Sequence, residues 1–250
     1  MKKYLFTILL LGAAFGWSTA QRADTRTVET RIADLLAQTP AGDQKSLERN
    51  AGEVAALGKA GISQLVSRLA APEKGQNAAV EYAVGGFTYF VNQPGREPWR
   101  KMAAEAYAEA LPKLTNKTNQ VFVLFQLQQI DKGEGLAVIT PLLEDSNLAG
   151  PAARALAASG TGAAGNALLK SLGNASGNRQ IFLAEALGDM KFRAAAQAIE
   201  KLAEGSDKDI RKVAQYALAR IAAPSSEGIL RKAAEKSGLI YDETNATANY

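Results

Sequence analysis

Apolar residues recur in six segments of the chain at positions typical of an amphipathic helix. In each segment an apolar anchor residue follows mostly small or apolar residues one, four and five positions earlier, which share one face of a helix with 3.6 residues per turn. The anchors are Leu57, Val84, Leu127, Leu156, Leu187 and Leu218. Alanine precedes the anchor in five of the six segments, so we predict close packing there, and Glu53, four before Leu57, interrupts the pattern.

The interval between successive anchors is close to constant. The six anchors are separated by 27, 43, 29, 31 and 31 residues. A repeated amphipathic segment at such a period is typical of helical hairpins that stack side by side, because one hairpin cannot bury its own apolar face. No stretch alternates apolar and polar residues as a half-buried strand does. The pattern therefore predicts an all-α protein in which each anchor lies on the second helix of a hairpin.

Glycine and proline predict where these helices end. Glycines follow three of the anchors directly, and we expect them to terminate second helices. They are Gly58, Gly85 and Gly188. The one wide interval contains Pro94-Gly95, which favours a turn, so we predict a loop insertion over residues 90–99. We favour local packing for Trp99 in that loop, and the alternative is that Trp99 anchors a partner.

Two segments resemble the HEAT repeat, in the short form named after the phycobilisome lyases. Residues 137–145, Ala-Val-Ile-Thr-Pro-Leu-Leu-Glu-Asp, are similar to a first HEAT helix with its proline bend and acidic turn. Residues 209–221 are similar to a second HEAT helix, and Leu57-Gly58 and Leu187-Gly188 match its Leu-Gly ending. The arginine expected early in the second helix is present only as Arg211, which speaks against a continuous Asp-Arg ladder between repeats.

The resemblance covers roughly residues 25–236 and implies a right-handed α-solenoid of about six HEAT-like helical hairpins. We place the solenoid over residues 21–243. Residues 244–250 are assigned as a tail or as the start of a further helix, capped by Thr244 or Asn245. The resemblance says little about function, because these repeats serve many partners. A row of stacked hairpins exposes much surface, and this favours binding, with a protein as the expected partner, over catalysis.

The first 20 residues have the composition of a secretory signal peptide. Lys2-Lys3 is a basic start, residues 4–17 are apolar, and the small residues 18–20 provide a cleavage site after Ala20. The apolar stretch is shorter than the roughly 20 residues that a spanning helix needs. We therefore expect a periplasmic or secreted protein with no integral membrane segment after cleavage. The start suits a bacterial envelope protein, although three Asn-X-Ser/Thr sequences would accept glycans in a eukaryotic secretory route.

Composition excludes several kinds of chemistry. The chain has no His and no Cys, so it lacks a Ser-His-Asp triad, a Cys nucleophile and a His- or Cys-ligated metal. Glu185 and Asp189 are four residues apart and could bring two carboxyl groups together, but acids at this spacing on an exposed face are usually only solvated. We therefore expect no catalytic residue, metal or cofactor. Without the signal peptide, 27 basic and 25 acidic residues remain, which argues against a nucleic acid partner.

The candidate partner-binding residues lie two positions before or after the anchors, away from the buried stripe. Aromatic and arginine side chains supply many of the strongest contacts in protein interfaces, and this set contains both. The HEAT resemblance implies that second helices line the inner, concave curve, so the set would run along a groove. The candidates are Tyr82, Phe125, Gln129, Arg154, Glu185, Asp189, Tyr216 and Arg220. The alternative is that each is an ordinary solvent-facing residue.

Three functions are compatible with these observations. We favour an exported, non-catalytic scaffold that binds a protein through the concave face of the solenoid. The alternative is the N-terminal accessory module of a larger secreted carbohydrate-active enzyme, because residues 239–250 resemble bacterial proteins in which HEAT-like repeats precede a 3-keto-disaccharide hydrolase-like domain. Such a domain would be a carbohydrate-linked partner. A HEAT-like DNA-binding enzyme would need cytoplasmic retention and a basic groove.

Overall fold

The computed structural model of the protein describes residues 25–250, which fold into fourteen α-helices joined by turns and short 3-10 segments, with no β-strand in this range. The prediction of an all-α protein is confirmed. The predicted signal peptide over residues 1–20 lies outside the described residues. The helices are α1 (Val28–Ala37), α2 (Gln44–Ala56), α3 (Gly58–Val66), α4 (Ala78–Val91), α5 (Glu97–Ala110), α6 (Lys117–Ile130), α7 (Leu136–Ile139), α8 (Ala149–Ser159), α9 (Gly162–Leu172), α10 (Asn178–Asp189), α11 (Ala196–Ala203), α12 (Lys208–Ile221), α13 (Glu227–Lys236) and α14 (Ala246–Asn249).

Polar side chains fix several helix starts. The first backbone N–H groups of a helix have no partner within the helix, and a capping oxygen can accept from them. Five N-cap side chains accept such a hydrogen bond, and they belong to Thr27, Asp43, Asn116, Thr161 and Asp207. The expected proline bend is present after α7, where Pro141 lies in a 3-10 segment, Thr140–Glu144, that continues the helix.

Each second helix packs against the second helix of the next hairpin. Helix α2 contacts α4, α4 contacts α6, and the relation continues through α8, α10 and α12 to the short α14. First helices contact one another as well, α3 with α5 and α5 with α7. Contacts between successive neighbours are what a stack of hairpins requires. The handedness of the stack and its HEAT membership remain predictions.

The anchor residues lie in the core, since all six are buried. The alanines before three of them, on which the stacking depends, are buried too: Ala83, Ala186 and Ala217. In the first repeat, however, Glu53 and Ala56 are exposed. Positions four and one before an anchor face the preceding second helix, as the close approach of Ala217 to Gly188 shows. Helix α2 has only α1 before it in the described chain, so this face of α2 meets solvent.

Gly188 allows the closest approach between two second helices. A Cβ atom built on Gly188 would lie 2.7 Å from Cα and 2.8 Å from Cβ of Ala217, nearer than such atoms can pack. The prediction that Gly85 and Gly188 terminate helices is wrong. Gly85 lies inside α4, and Gly188 has ordinary helical geometry one residue before the end of α10, so its missing side chain serves packing instead.

The wide interval between Val84 and Leu127 is filled by longer helices. Helix α4 continues to Val91, and a short turn over residues 92–96 leads into α5. Our prediction of a loop insertion over residues 90–99 is therefore wrong. The proline and glycine that suggested it mark only this turn, and the extra residues add helical turns whose apolar side chains extend the core.

Trp99 packs against the turn that precedes it, as we predicted. Its ring stacks on Phe90 with 5.7 Å between ring centroids, and the Cζ atom of Arg96 lies 3.8 Å from the centroid of Phe90. Stacked rings and a cation over an aromatic face are both favourable contacts. The three side chains thus join the end of α4 to the start of α5.

Mostly amide side chains hold the turns against the second helices, where the HEAT pattern expects arginine. In four repeats a side-chain N–H at this position donates to a backbone carbonyl of the preceding turn. These bonds run from Asn50 to Gln38 (3.3 Å), from Asn77 to Ala70 (2.8 Å), from Gln120 to Leu114 (2.9 Å) and from Arg211 to Gly205 (3.0 Å). The carbonyls are satisfied without a carboxylate partner, which explains how asparagine and glutamine can replace arginine here.

A buried arginine joins α5 to the turn after α6. The guanidinium of Arg100 donates to the carbonyl of Ile130 and to both carboxylate oxygens of Glu134, with 2.6 Å between Nη2 and Oε1. Burial opposes ionisation of Glu134, but hydrogen bonds from Arg100 and from the Lys132 backbone lower its pKa to about 2. This buried pair therefore stays charged over the ordinary pH range.

Asp131 closes the same turn from the other side. Its Oδ1 accepts from the backbone N–H of Gly135 at 2.7 Å, and its Oδ2 accepts from that of Gly133 at 3.2 Å. Burial raises the pKa of Asp131 despite these hydrogen bonds. The turn thus depends on two carboxylates, of which Glu134 alone has an arginine partner.

Tyr107 forms a polar contact in the centre of the core. Its Oη donates to the carbonyl of Val84 at 3.2 Å and lies 3.1 Å from Oγ1 of Thr88, which donates to the same carbonyl at 3.0 Å. Burial raises the pKa of the phenol, because the charged form would lose its hydration. The hydroxyl is therefore a protonated donor between α4 and α5.

We expect Tyr107→Phe to lower the free energy of unfolding by about 1 kcal/mol at pH 7, since one buried hydrogen bond is lost and Val84 keeps its bond from Thr88. Folded protein holds the phenolic proton more tightly than the unfolded chain, so the wild type loses stability as the pH rises above about 10. We therefore expect the difference in unfolding free energy between the wild type and Tyr107→Phe to be smaller at about pH 11 than at pH 7. Urea unfolding of both proteins at the two pH values measures it. An equal difference at both would contradict the raised pKa.

Candidate partner-binding surface

The eight candidate residues form a row along the outer surface of the second helices, from α4 to α12. Every one of them is exposed. A buried alanine directly follows four of them, namely Tyr82, Arg154, Glu185 and Tyr216. We call these eight residues the exposed row. Its members are Tyr82, Phe125, Gln129, Arg154, Glu185, Asp189, Tyr216 and Arg220.

Aromatic rings occupy the first part of the row. Tyr82 on α4 is 44% exposed and Phe125 on the neighbouring α6 is 57% exposed. Tyr89, which the sequence analysis missed, is 59% exposed and lies two helical turns after Tyr82 on the same face of α4. The seven-residue spacing of the two tyrosines was the available clue. We overlooked it because we expected α4 to end at Gly85.

A strip of glycine separates Tyr82 from Tyr89. A Cβ atom built on Gly85 would meet nothing within 4 Å, and one on Gly86 would reach only a side-chain carbon of Leu47, at 3.0 Å. Seven residues of helix place the two tyrosines about 10 Å apart along the axis of α4. The backbone between the two tyrosines is therefore open beside Gly85, whereas Leu47 of α2 already lies against it at Gly86.

Charged side chains linked by hydrogen bonds occupy the last part of the row. Tyr216 Oη donates to Asp189 Oδ1 at 2.9 Å, and Arg220 Nε lies 3.3 Å from the same oxygen. The guanidinium of Arg220 lies 5.7 Å from the centroid of the Tyr216 ring. Burial and the hydrogen bond to Asp189 raise the pKa of Tyr216. These contacts join α10 to α12 and hold three members of the row in one cluster.

Two shallow depressions connect this cluster to its neighbours. Arg154, Glu185 and Asp189 line one of about 260 Å³, together with Gln128. Glu185 and Tyr216 line another of about 180 Å³ on the other side of α10. The structure therefore brings five members of the row together across α8, α10 and α12.

The remaining members lie apart from this group. Tyr82 borders a small gap between α1, α2 and α4, and Gln129 Nε2 donates to the carbonyl of Phe125 on its own helix at 3.3 Å. The row thus has an aromatic part on α4 and α6 and a charged part on α8, α10 and α12. A partner that covered the whole row would therefore contact aromatic rings at one end and charged side chains at the other.

The candidate acid pair Glu185 and Asp189 is not a free pair of carboxylates. Asp189, half of the candidate acid pair with Glu185, already accepts from a tyrosine and pairs with an arginine. Within residues 25–250, no group of three Asp, Glu, His or Cys residues is placed to hold a metal ion. None of the helices in that range is both long and apolar enough to cross a bilayer.

Comparison with known proteins adds no family. The sequence matches no family model. No curated protein is significantly similar to it.

Proposed function

We propose that the protein is an exported scaffold with HEAT-like repeats and no catalytic activity, and that its exposed row binds a protein partner. The observation that carries the proposal is the row itself. Its aromatic and arginine side chains project to solvent from helices whose opposite faces are buried in the stack. A rigid stack fixes their spacing, so a partner that contacts several of them loses little conformational entropy.

The residue types in the row differ from those of an ordinary solvent-facing surface. The eight residues include no lysine, whereas three are aromatic and two are arginine. Interfaces between proteins are enriched in tyrosine, phenylalanine and arginine and depleted of lysine, glutamate and aspartate, so Glu185 and Asp189 are the two members of the row that do not follow this trend. Aromatic rings as exposed as Tyr82, Tyr89 and Phe125 also leave apolar surface in water, which a partner would cover.

The predicted export of the chain indicates the compartment in which its partner is found. The basic start, the apolar stretch and the small residues before Gln21 are those of a signal peptide, and a chain without cysteine needs no disulfide outside the cytoplasm. We therefore propose that the partner is another protein of the periplasm or the extracellular space.

Site-specific photo-crosslinking in an envelope extract tests this proposal. We expect a benzophenone amino acid at Tyr82 or Phe125 to capture a distinct protein, and the same group at Lys170, an exposed residue of the first-helix side, to capture none. Mass spectrometry would identify the captured protein for expression and purification. Crosslinks from Lys170 and none from the row would contradict the proposal.

The double variant Tyr82→Ala with Tyr216→Ala then tests the energy of the contacts. Both rings are partly exposed, and Tyr216 also donates to Asp189, so we expect the melting temperature to fall by no more than about 4 °C. Binding to the purified partner should weaken by about tenfold or more, measured by calorimetry. Lys170→Ala is the control and should keep full affinity. A large loss of thermal stability would instead place the two rings in the core.

A further inference from the structure

The tyrosines in the aromatic part of the row differ from the tyrosine in the charged part. Tyr216 Oη donates to Asp189, whereas neither the Tyr82 hydroxyl nor the Tyr89 hydroxyl has a hydrogen-bond partner among residues 25–250. Both residues are also more exposed than Tyr216, which is 37% exposed. Helix α4 therefore presents two rings and two unused hydroxyl donors to a ligand.

A contact in the later repeats shows how neighbouring second helices are aligned. Asp189 lies two residues after its anchor and accepts from Tyr216, which lies two residues before the next anchor. Gly86 and Phe125 occupy the corresponding positions of α4 and α6, which also pack against each other. The same alignment places Phe125 across from the stretch of α4 that joins the two tyrosines.

The space between Phe125 and this stretch of α4 is open. A Cβ atom built on Gly85 meets nothing within 4 Å, and one built on Gly86 meets only Leu47 of α2. No atom of Phe125 therefore lies within 4 Å of either Cβ position. We call this space the aromatic groove, and its borders are Tyr82, Tyr89, Phe125 and Gly85.

The spacing of the two tyrosines fits a polyproline II segment. The seven residues of helix between them rise about 10 Å. Three residues of polyproline II rise about 9 Å and return the side chain to the same face, whereas two residues of a β-strand rise only about 7 Å. Every third residue of a polyproline II segment can thus reach the next ring.

The unused hydroxyl groups favour such a segment over an α-helix. A helix pairs its backbone carbonyls internally, so its sides offer no backbone acceptor to Tyr82 or Tyr89. A polyproline II segment has no internal hydrogen bond, and all its carbonyls can accept. Grooves lined by aromatic side chains are a recurring type of receptor for proline-rich segments.

The residue types at the groove are uncharged. Tyrosine, phenylalanine and glycine form its borders, and Gln129 lies one turn after Phe125 on α6. Along the row, charged members begin only at Arg154 on α8. A proline-rich segment is likewise uncharged, and its preformed backbone loses little conformational entropy when it binds.

We propose that the aromatic groove binds a proline-rich segment of the partner protein in the polyproline II conformation. The proposal deepens the proposed scaffold function and rests on it for the existence of a partner. Proline rings of the segment pack between Tyr82, Tyr89 and Phe125, beside the open backbone at Gly85. The two tyrosine hydroxyls donate to carbonyls of the segment, and the charged part of the row contacts the partner beyond it.

Peptide binding tests this inference. In fluorescence anisotropy with the purified protein, we expect a fluorescein-labelled peptide of ten prolines to bind with a dissociation constant below about 1 mM. A peptide of alternating glycine and serine, and an amphipathic helix of leucine, alanine and glutamine, should each bind about tenfold more weakly. Tighter binding of the helical peptide, or no binding of the proline peptide at about 1 mM, would overturn the inference.

A substitution at Gly85 fills the groove without removing a ring. Gly85→Leu puts a large side chain into the open space, and leucine is a better helix former than glycine, so α4 should be kept. Binding of the proline peptide should weaken by about tenfold. Gly52→Leu, at another open position inside a second helix, is the matched control and should bind as the wild type does. An equal loss in both variants would contradict the groove.

Removal of one ring is the second arm of the test. Tyr89→Ala should weaken binding of the proline peptide by about tenfold and leave the melting temperature nearly unchanged, because the ring is exposed. Tyr241→Ala removes another exposed tyrosine, on the segment between α13 and α14, and should have no effect on binding. Similar weakening in both variants would show that the peptide adheres to exposed rings in general and would overturn the inference.

The outcomes for the groove and for the exposed row can be told apart. Photo-crosslinks from Tyr82 or Phe125 together with no binding of the proline peptide would keep the scaffold function and remove the proline-rich segment. Binding that Gly85→Leu weakens, combined with no crosslink from the row, would keep the groove and remove the proposed envelope partner. Where both succeed, mass spectrometry should find proline-rich sequence at the crosslinked site of the partner.

Discussion

Arg100→Met is expected to lower the free energy of unfolding by about 3–5 kcal/mol, which is typical when one member of a buried ion pair is removed. Methionine keeps most of the apolar stem in place, so the loss comes from the guanidinium. Without it, the carboxylate of Glu134 and the carbonyl of Ile130 lose their buried donor between α5 and the turn after α6. Urea unfolding followed by circular dichroism at pH 7 would measure the change.

Lys113→Met is the matched control. Lys113 pairs with Glu109 four residues earlier on the surface, at 3.0 Å, and both side chains are exposed. Exposed pairs of this kind contribute less than about 1 kcal/mol. A similar loss for both variants would contradict the idea that burial gives the Arg100 pair its importance.

The effect of Arg100→Met should also depend on pH. Hydrogen bonds from Arg100 and the Lys132 backbone outweigh burial and hold the pKa of Glu134 at about 2. The ionised carboxylate therefore stabilises the fold above its ordinary pKa, and this stabilisation is lost as the pH falls toward 2. The variant lacks the arginine and so lacks this stabilisation at every pH. The difference in unfolding free energy between the variant and the wild type should therefore become smaller as the pH falls from about 5 to about 3. Burial raises the pKa of Asp131, so this group favours the folded state as the pH falls. Asp131 is present in both proteins, so it contributes little to the difference between them.

The repeat pattern predicted the fold because it records local burial. The six anchors and the alanines before most of them occupy the buried stripe, and the exposed row follows from the same helical geometry. The prediction failed where a residue has two possible roles. Gly58 has a positive φ and ends a helix, whereas Gly188 allows close packing. The role of Gly188 is clear only from its contact with Ala217, which lies on another helix.

Contacts between distant residues lay beyond the sequence pattern. Arg100 and Glu134 are 34 residues apart, and nothing local to either residue indicates that they meet. Tyr89 could have been found from its spacing to Tyr82, but only with α4 extended past Gly85. Sequence periodicity thus gives the faces of helices, while helix lengths and partners decide which surfaces remain open.

Gly188→Ala should destabilise the protein by about 2 kcal/mol, whereas Gly52→Ala should stabilise it by about 0.5–1 kcal/mol. Both residues lie inside second helices, where alanine is the better helix former. At Gly188 the new methyl group meets the backbone of Ala217 at 2.7 Å, so α10 and α12 must separate, and at Gly52 it meets nothing within 4 Å. Thermal and urea unfolding of both variants would measure the difference. If Gly188→Ala were as stable as Gly52→Ala, then α10 and α12 would not be in close contact at Gly188, and stacking through small residues would lose its best evidence.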